Sequence, residues 1–234
     1  MTGWDGSAAR VVLFDIDGTL LHAGDLPRRV FRASLLEVFG TAGTVDAHEF
    51  AGKTDPQIVR EVLALAGVPG ERIRAGLDRA LARYLSLLEE GLRDPAARPY
   101  PLPGVTALLD ALALRPGCAL GLLTGNVEPG ARLKLDAAGL GGRFAFGAFG
   151  SDSAHRPDLT PFALRRALAL GHRPGRLVVV GDTPRDVECG AHAGARTVAV
   201  ATGRYGVQSL RAAGADVVLE NFDDTPGALA AILG

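Results

Sequence analysis

Two kinds of apolar pattern alternate along the chain, and the change from one to the other divides it. Val11-Val12-Leu13-Phe14 is an unbroken apolar run that ends at Asp15-Ile16-Asp17-Gly18-Thr19. A run this short, bounded by turn residues, reads as a strand buried on both faces. From Leu26 to Asp94 no strand-like alternation appears. Residues 27–39 carry helical periodicity and stop before Gly40. Thr54-Asp55-Pro56 places a capping side chain before a first-turn proline, which opens a helix over 57–66 that Gly67 ends. A longer helix over 71–92 follows. Prolines at 95, 99, 101 and 103 then form a stiff linker.

Beyond the linker the pattern changes. Helices are predicted at 105–114, 129–138, 161–170, 185–193, 207–213 and 226–233. Between them lie strands at 119–123, 144–149, 177–180, 197–200 and 217–219. Such alternation predicts an α/β fold with a doubly wound parallel sheet. The predicted division is a catalytic core of 1–21 with 99–234, and an inserted helical domain of 22–98.

Composition narrows the setting. The chain has 234 residues, 47% of them hydrophobic, enough for one large core or two smaller ones. A net charge of -1 gives no reason to expect a nucleic-acid or membrane surface. Met1 to Arg10 has no apolar signal core, and no run approaches membrane-spanning length, so a cytoplasmic protein is expected. Trp4 receives no role. Cys118 and Cys189 lie far apart without metal-like spacing and read as buried structural thiols. The 25 basic residues include only two lysines, Lys53 and Lys134, so few are available for chemistry.

In a parallel sheet, ligands bind beyond the carboxyl ends of the strands. Four such ends are polar here: Asp15 to Thr19, Thr124-Gly125-Asn126, Ser151 to Pro157, and Gly181 to Asp186. Taken alone, the first also fits a plain Asp-Gly turn. Together, Asp15, Asp17, Asp182 and Asp186 are hard oxygen donors at one edge. That set suits Mg²⁺, and clustered carboxylates without a cation repel one another. A carboxylate can attack phosphorus, and a second can supply the leaving group's proton. Thr124, the amides near Gly125 and Asn126, and Arg156 can hold the phosphoryl oxygens.

These four strand ends resemble the motifs of the haloacid dehalogenase superfamily. Asp15-Ile16-Asp17-Gly18-Thr19 is similar to its first motif, Leu122 to Asn126 to its second, Arg156-Pro157 to its third, and Gly181 to Asp186 to its fourth. The helical insert falls where this family places a C1-type cap. The resemblance implies that Asp15 is the nucleophile and a Mg²⁺ ligand. Asp17 is then the general acid/base, its backbone carbonyl also on the metal. Thr124 binds the phosphoryl group with Gly125 and Asn126 nearby, Asp182 ligates the metal, and Asp186 holds it through water or orients the shell. Gly18 and Thr19 shape the loop and line the phosphate site.

One position departs from the family pattern. Arg156 stands where lysine is usual, within otherwise matching Pro157 and Pro161-Phe162 spacing. Arg165 and Arg166 read instead as a solvated helix face, Lys134 as a helix residue, and Lys53 as part of the insert. Asp17 excludes the dehalogenases, which lack it, and the transport ATPases, which carry lysine there. Gly52-Lys53-Thr54-Asp55 is not a nucleotide cradle, since it lies between helices and Ala47 occupies a required glycine position. It resembles the cap loop of phosphoglycolate-phosphatase-like members, where Lys53 would meet an anionic substrate. The histidines show no ligand spacing. The expected protein is therefore a Mg²⁺-dependent phosphatase of a small phosphorylated metabolite, phosphoglycolate foremost, acting as a monomer or homodimer. A sugar phosphomutase similar to β-phosphoglucomutase and an inactive phosphate-binding regulator are the alternatives.

Overall fold

The computed structural model describes residues 9–173 and 175–234; the N-terminal stretch with Trp4 lies outside them. The first apolar run forms β1 (Arg10–Phe14). A two-residue strand, β2 (Leu21–His22), leads into three helices: α1 (Leu26–Phe39), α2 (Asp55–Leu65) and α3 (Gly70–Gly91). The chain returns through β3 (Tyr100–Pro101) to α4 (Val105–Ala113), β4 (Cys118–Leu123), α5 (Glu128–Ala137) and β5 (Phe146–Ala148). It continues with α6 (Leu159–Ala169), β6 (Arg176–Gly181), α7 (Pro184–His192), β7 (Arg196–Val200), α8 (Val207–Ala212), β8 (Val217–Leu219) and α9 (Thr225–Leu233).

Six strands form one parallel sheet in the order β5-β4-β1-β6-β7-β8. The period of two along a strand decides what each face meets. Val12 and Phe14 join α4, α5 and α9 in one apolar cluster, whereas Val11 and Leu13 join α6 and Cys189 of α7 in another. β1 sits at the centre, paired with β4 and β6. Its carboxyl end is therefore flanked by the loops that follow both neighbours, and the order of strands brings the motifs together.

The linker expected over 95–103 is more structured than its prolines imply. Tyr100–Pro101 pairs antiparallel with Leu21–His22, so the two chain crossings into and out of the insert run side by side. The insert has its own apolar cluster, with Phe31, Leu35, Val62, Ile73 and Leu88 buried, and it rests on Leu133 and Ala137 of α5. The expected strand over 144–149 is only three residues long, since the Phe149 and Gly150 amides turn away to donate to the Asp152 carboxylate and the Asn126 carbonyl. Cys189 is buried as expected, but Cys118 is only half-buried.

Candidate active site

β1 delivers Asp15 to the sheet edge with its carboxyl group almost fully buried. Arg156 comes from the loop after β5 and places Nη2 2.9 Å from Asp15 Oδ1; the same nitrogen bonds Leu123 O at 3.2 Å and Asp186 Oδ1. Asp186 has a second task. Its Oδ2 accepts from the Thr183 amide at 3.0 Å and hydroxyl at 2.7 Å, while its own amide bonds the Thr183 hydroxyl, a capping box that starts α7. Asp182 stands opposite, with Oδ1 accepting from Thr19 at 3.1 Å. A Cβ at Gly18, whose φ is +85°, would fall 2.4 Å from Asp182 Oδ2, and one at Gly203 1.8 Å, so a side chain at either position would displace that carboxylate.

Burial and like charges set the protonation of this cluster. Burial foremost, with Asp186 and Asp17 close by, raises Asp15 to about 6 against the pull of Arg156. Asp182 is pushed well above the usual carboxylate range by burial and by Asp15 and Asp186. Burial opposes the charge on Arg156, but Asp15 and Asp186 outweigh it and hold the guanidinium protonated.

Oxygens of Asp15, Asp182 and Asp186 lie within 4.8 Å of one another. The mutual repulsion that raises Asp15 and Asp182 is what a divalent cation between them would relieve, and the donors are hard oxygens. The residues fit Mg²⁺, with Asp15 and Asp182 the freer ligands. Asp186 is already engaged by Thr183 and Arg156.

Asp17 points elsewhere. Its Oδ2 accepts from Asn126 Nδ2 at 2.7 Å, and Lys134 Nζ lies 2.9 Å from each of its oxygens and 2.7 Å from Asn126 Oδ1. Asn126 Nδ2 also reaches Thr124 Oγ1 at 2.9 Å. Lys134, expected to be an ordinary helix residue, is buried and reaches the site from α5. A signal was present. Lys134 stands beside Leu135 and three residues after Ala131, on the apolar face of an amphipathic helix. A lysine there must find a partner or break the core.

Thr19 was expected to line the phosphate site. Its hydroxyl bonds Asp182 instead, and it stands behind that carboxylate rather than on the cavity wall. Arg165 stacks on Phe162, and Arg166 pairs with Asp152 and Gly147 O, so neither enters the site.

The insert closes the other side. The Asp55 amide donates to Gly125 O at 2.8 Å, the Thr54 hydroxyl to Ala154 O at 2.8 Å, and Asp55 Oδ2 accepts from the Val127 amide at 2.8 Å. Burial raises Asp55 to about 6, against the attraction of Lys134. Between insert and sheet edge lies a cavity of about 510 Å³, lined by Asp15, Asp17, Asn126 and Lys134 on one side and by Arg28 and Lys53 on the other. Lys53 is engaged in this arrangement: its ammonium lies 2.5 Å from Glu61 and 2.9 Å from His48. Burial pushes Glu61 up, and the bonds from Lys53, Gln57 and His48 bring it below its ordinary value. Arg28 donates to the carbonyls of Val45 and His48 and stacks 4.0 Å from the Phe50 ring centre. Among the described residues, no helix is long and apolar enough to cross a membrane.

A parallel sheet whose central carboxyl end gathers buried aspartates, a guanidinium and a threonine defines a phosphoryl-transfer type of site. The family model for haloacid dehalogenase-like hydrolases matches residues 9–194. The chain belongs to that family and is a phosphatase of it. It is 33% identical to a phosphoglycolate phosphatase of Rhodospirillum rubrum over 225 residues, covering 91% of this chain and 88% of that one. It is 32% identical to pyrophosphatase PpaX of Bacillus velezensis, over 91% and 93% of the two chains. In fold it resembles CbbY from Rhodobacter sphaeroides, solved with phosphate (TM-score 0.68, 24% identity, covering 96% and 99%). A hydrolase from Pseudomonas syringae shares the fold at a TM-score of 0.72 and 21% identity, covering 95% and 99%.

Proposed function

We propose that this phosphatase is Mg²⁺-dependent, acts on a small phosphorylated metabolite through a phosphorylated Asp15, and uses residues 22–98 as a cap. The observation that carries the reading is Asp15 itself: buried at the end of the central strand, 2.9 Å from Arg156, and in one oxygen cluster with Asp182. Bound there, Mg²⁺ would neutralise charge on the phosphoryl oxygens and orient them. Asp15 attacks phosphorus. Arg156 and the Thr124 hydroxyl hold the phosphoryl oxygens, and Asp17, outside the three-oxygen cluster and open to the cavity, gives and takes the proton. The Asp55–Gly125 contact docks the insert over the cavity and narrows the access of water to it.

Phosphoglycolate is the proposed substrate. The names of several relatives support it, and so does Arg28. Its guanidinium is held by two carbonyls and faces no carboxylate within ion-pair distance among the described residues. It is thus a cation left for a second anionic group of the substrate, whereas the charge of Lys53 is already answered by Glu61.

The test is phosphate release from a panel of phosphorylated metabolites, with Mg²⁺ and with chelator, for wild type and Asp15→Asn. Mg²⁺-dependent turnover, lost by about four orders of magnitude or more in the variant, is expected, with phosphoglycolate ranked first. Turnover that survives in Asp15→Asn would overturn the covalent route. Interconversion of sugar phosphates that needs a sugar bisphosphate would replace hydrolysis by the mutase reaction.

A further inference from the structure

Lys134 is a buried cation whose contacts all lie in the site, and the chemistry above gives it no task. We infer that Lys134, together with Asn126, is a positioning residue that fixes Asp17 and selects which of its oxygens carries the transferred proton. The inference rests on the phosphatase chemistry proposed above.

The geometry closes on itself. The three N–H groups of Lys134 are answered by Asp17 Oδ1, Asp17 Oδ2 and Asn126 Oδ1. With Asn126 Oδ1 accepting, its Nδ2 must be the donor, and it serves Asp17 Oδ2 and Thr124 Oγ1. Asp17 Oδ2 thus receives two donors and Oδ1 only one. The terminal torsion of a free aspartate is broad and roughly two-fold, so without the clamp its oxygens would exchange. With it, Oδ1 is the oxygen left to exchange a proton with the cavity. Lys134 is almost completely buried, whereas the Asp17 side chain is 38% exposed. A rigid post therefore holds a group that faces the substrate.

A plain structural ion pair would look different. Asp55 is also close enough to be stabilised by Lys134, is buried, and would be the natural partner for a lysine that only needed its charge matched. Lys134 instead directs all three of its N–H groups to Asp17 and Asn126. Beside Lys134 on α5, Leu133 and Ala137 pack against the insert, which anchors the helix.

The proton path is then defined. Asp15 forms a bond to phosphorus as the ester P–O bond breaks, and the proton on Asp17 Oδ1 passes to the leaving oxygen. In the second step water bonds to phosphorus, the Asp15–phosphorus link breaks, and Oδ1 takes the water's proton. Lys134 keeps its own protons throughout.

The test compares an alkyl phosphate, the best in the panel, with p-nitrophenyl phosphate, whose leaving group needs no proton. Lys134→Met is expected to slow the alkyl ester about 100-fold, the scale of lost acid–base help. Nitrophenol should still appear in a fast stoichiometric burst, followed by slow turnover with phosphate held on Asp15. Combined with Asp17→Asn, Lys134→Met should add no further loss. Lys134→Gln is the second variant and carries the same expectations should methionine prevent folding. Equal losses on both esters without a burst, or multiplied losses in the double variant, would overturn the inference while leaving an active wild type to support the phosphatase reading. A wild type inactive on every ester overturns both.

Discussion

Arg156 and Lys134 are both buried cations that end on carboxylates of the same short loop, yet they work in opposite surroundings. The Arg156 side chain is 3% exposed and meets Asp15 at 7% and Asp186 at 3%. Lys134 is 5% exposed and meets Asp17 at 38%. The first is a closed cluster in which one guanidinium holds two carboxylates in place. The second is a support for a group that stays open to the cavity. Residues two apart in sequence can thus have one carboxylate enclosed and the other open to the cavity, and the burial of the carboxylate, not of the cation, separates them.

Removing a charge should expose the contrast most strongly. Arg156→Met leaves Asp15 and Asp186 buried without their cation, and a loss of about 3–5 kcal/mol is expected from chemical denaturation of the metal-free protein. Arg156→Lys keeps the charge and should recover most of it. A methionine variant as stable as wild type would show that water reaches the cluster.

A neutral replacement at the edge of the Lys134 region should act the other way. Asp55 has its folded pKa raised to about 6, above the ordinary value of an unfolded chain. The folded state therefore binds the extra proton, and stability falls as pH rises from about 4 to 6. Asp55→Asn keeps an acceptor for the Val127 amide and removes the charge. It should match wild type near pH 4 and exceed it above pH 7 by roughly 3 kcal/mol at most, because each tenfold difference in proton affinity between the folded and unfolded chain is worth about 1.4 kcal/mol. A difference that does not change with pH would remove Asp55 as the cause.

The contact that shuts the cavity over both regions offers a smaller perturbation. A Cβ at residue 125 would sit 2.0 Å from the Lys53 carbonyl oxygen. Gly125→Ala should push the insert loop off the strand end, expose the Asp55 amide to hydrogen exchange, and lower kcat/KM by about 100-fold, the cost of an ångström-scale misplacement. An Asp55 amide that stays protected would mean the loop yields without undocking.

The sequence made one of these regions far easier to see than the other. Each strand end in the sheet is an apolar run that stops at polar turn residues, so Asp15, Thr124, Arg156, Asp182 and Asp186 were all legible as neighbours, and β8 fell where its Val-Val-Leu predicts. Lys134 lies mid-helix, where periodicity reads a long polar side chain as surface; only its place beside Ala131 and Leu135 marks it as buried. The ribbon of β2 and β3 escaped because two-residue strands have no period, and Pro101 within one of them reads as linker. Asp55 looked like a helix-start residue, which it is, and nothing local announces that its carboxylate also caps the Val127 amide 72 positions away. Local signals carry strand ends and caps; they do not carry a side chain's distant partner.

Asp186 begins α7 through its capping box and anchors Arg156 with its other oxygen. Assembly of the site and formation of that helix are therefore one event, an interlock rather than two separate steps. A chain whose α7 has frayed has lost one of the two carboxylates on its guanidinium, which is left to Asp15 and the Leu123 carbonyl. Order at the start of α7 and the placement of the Arg156 charge are thus coupled, and a change that loosens one is felt by the other.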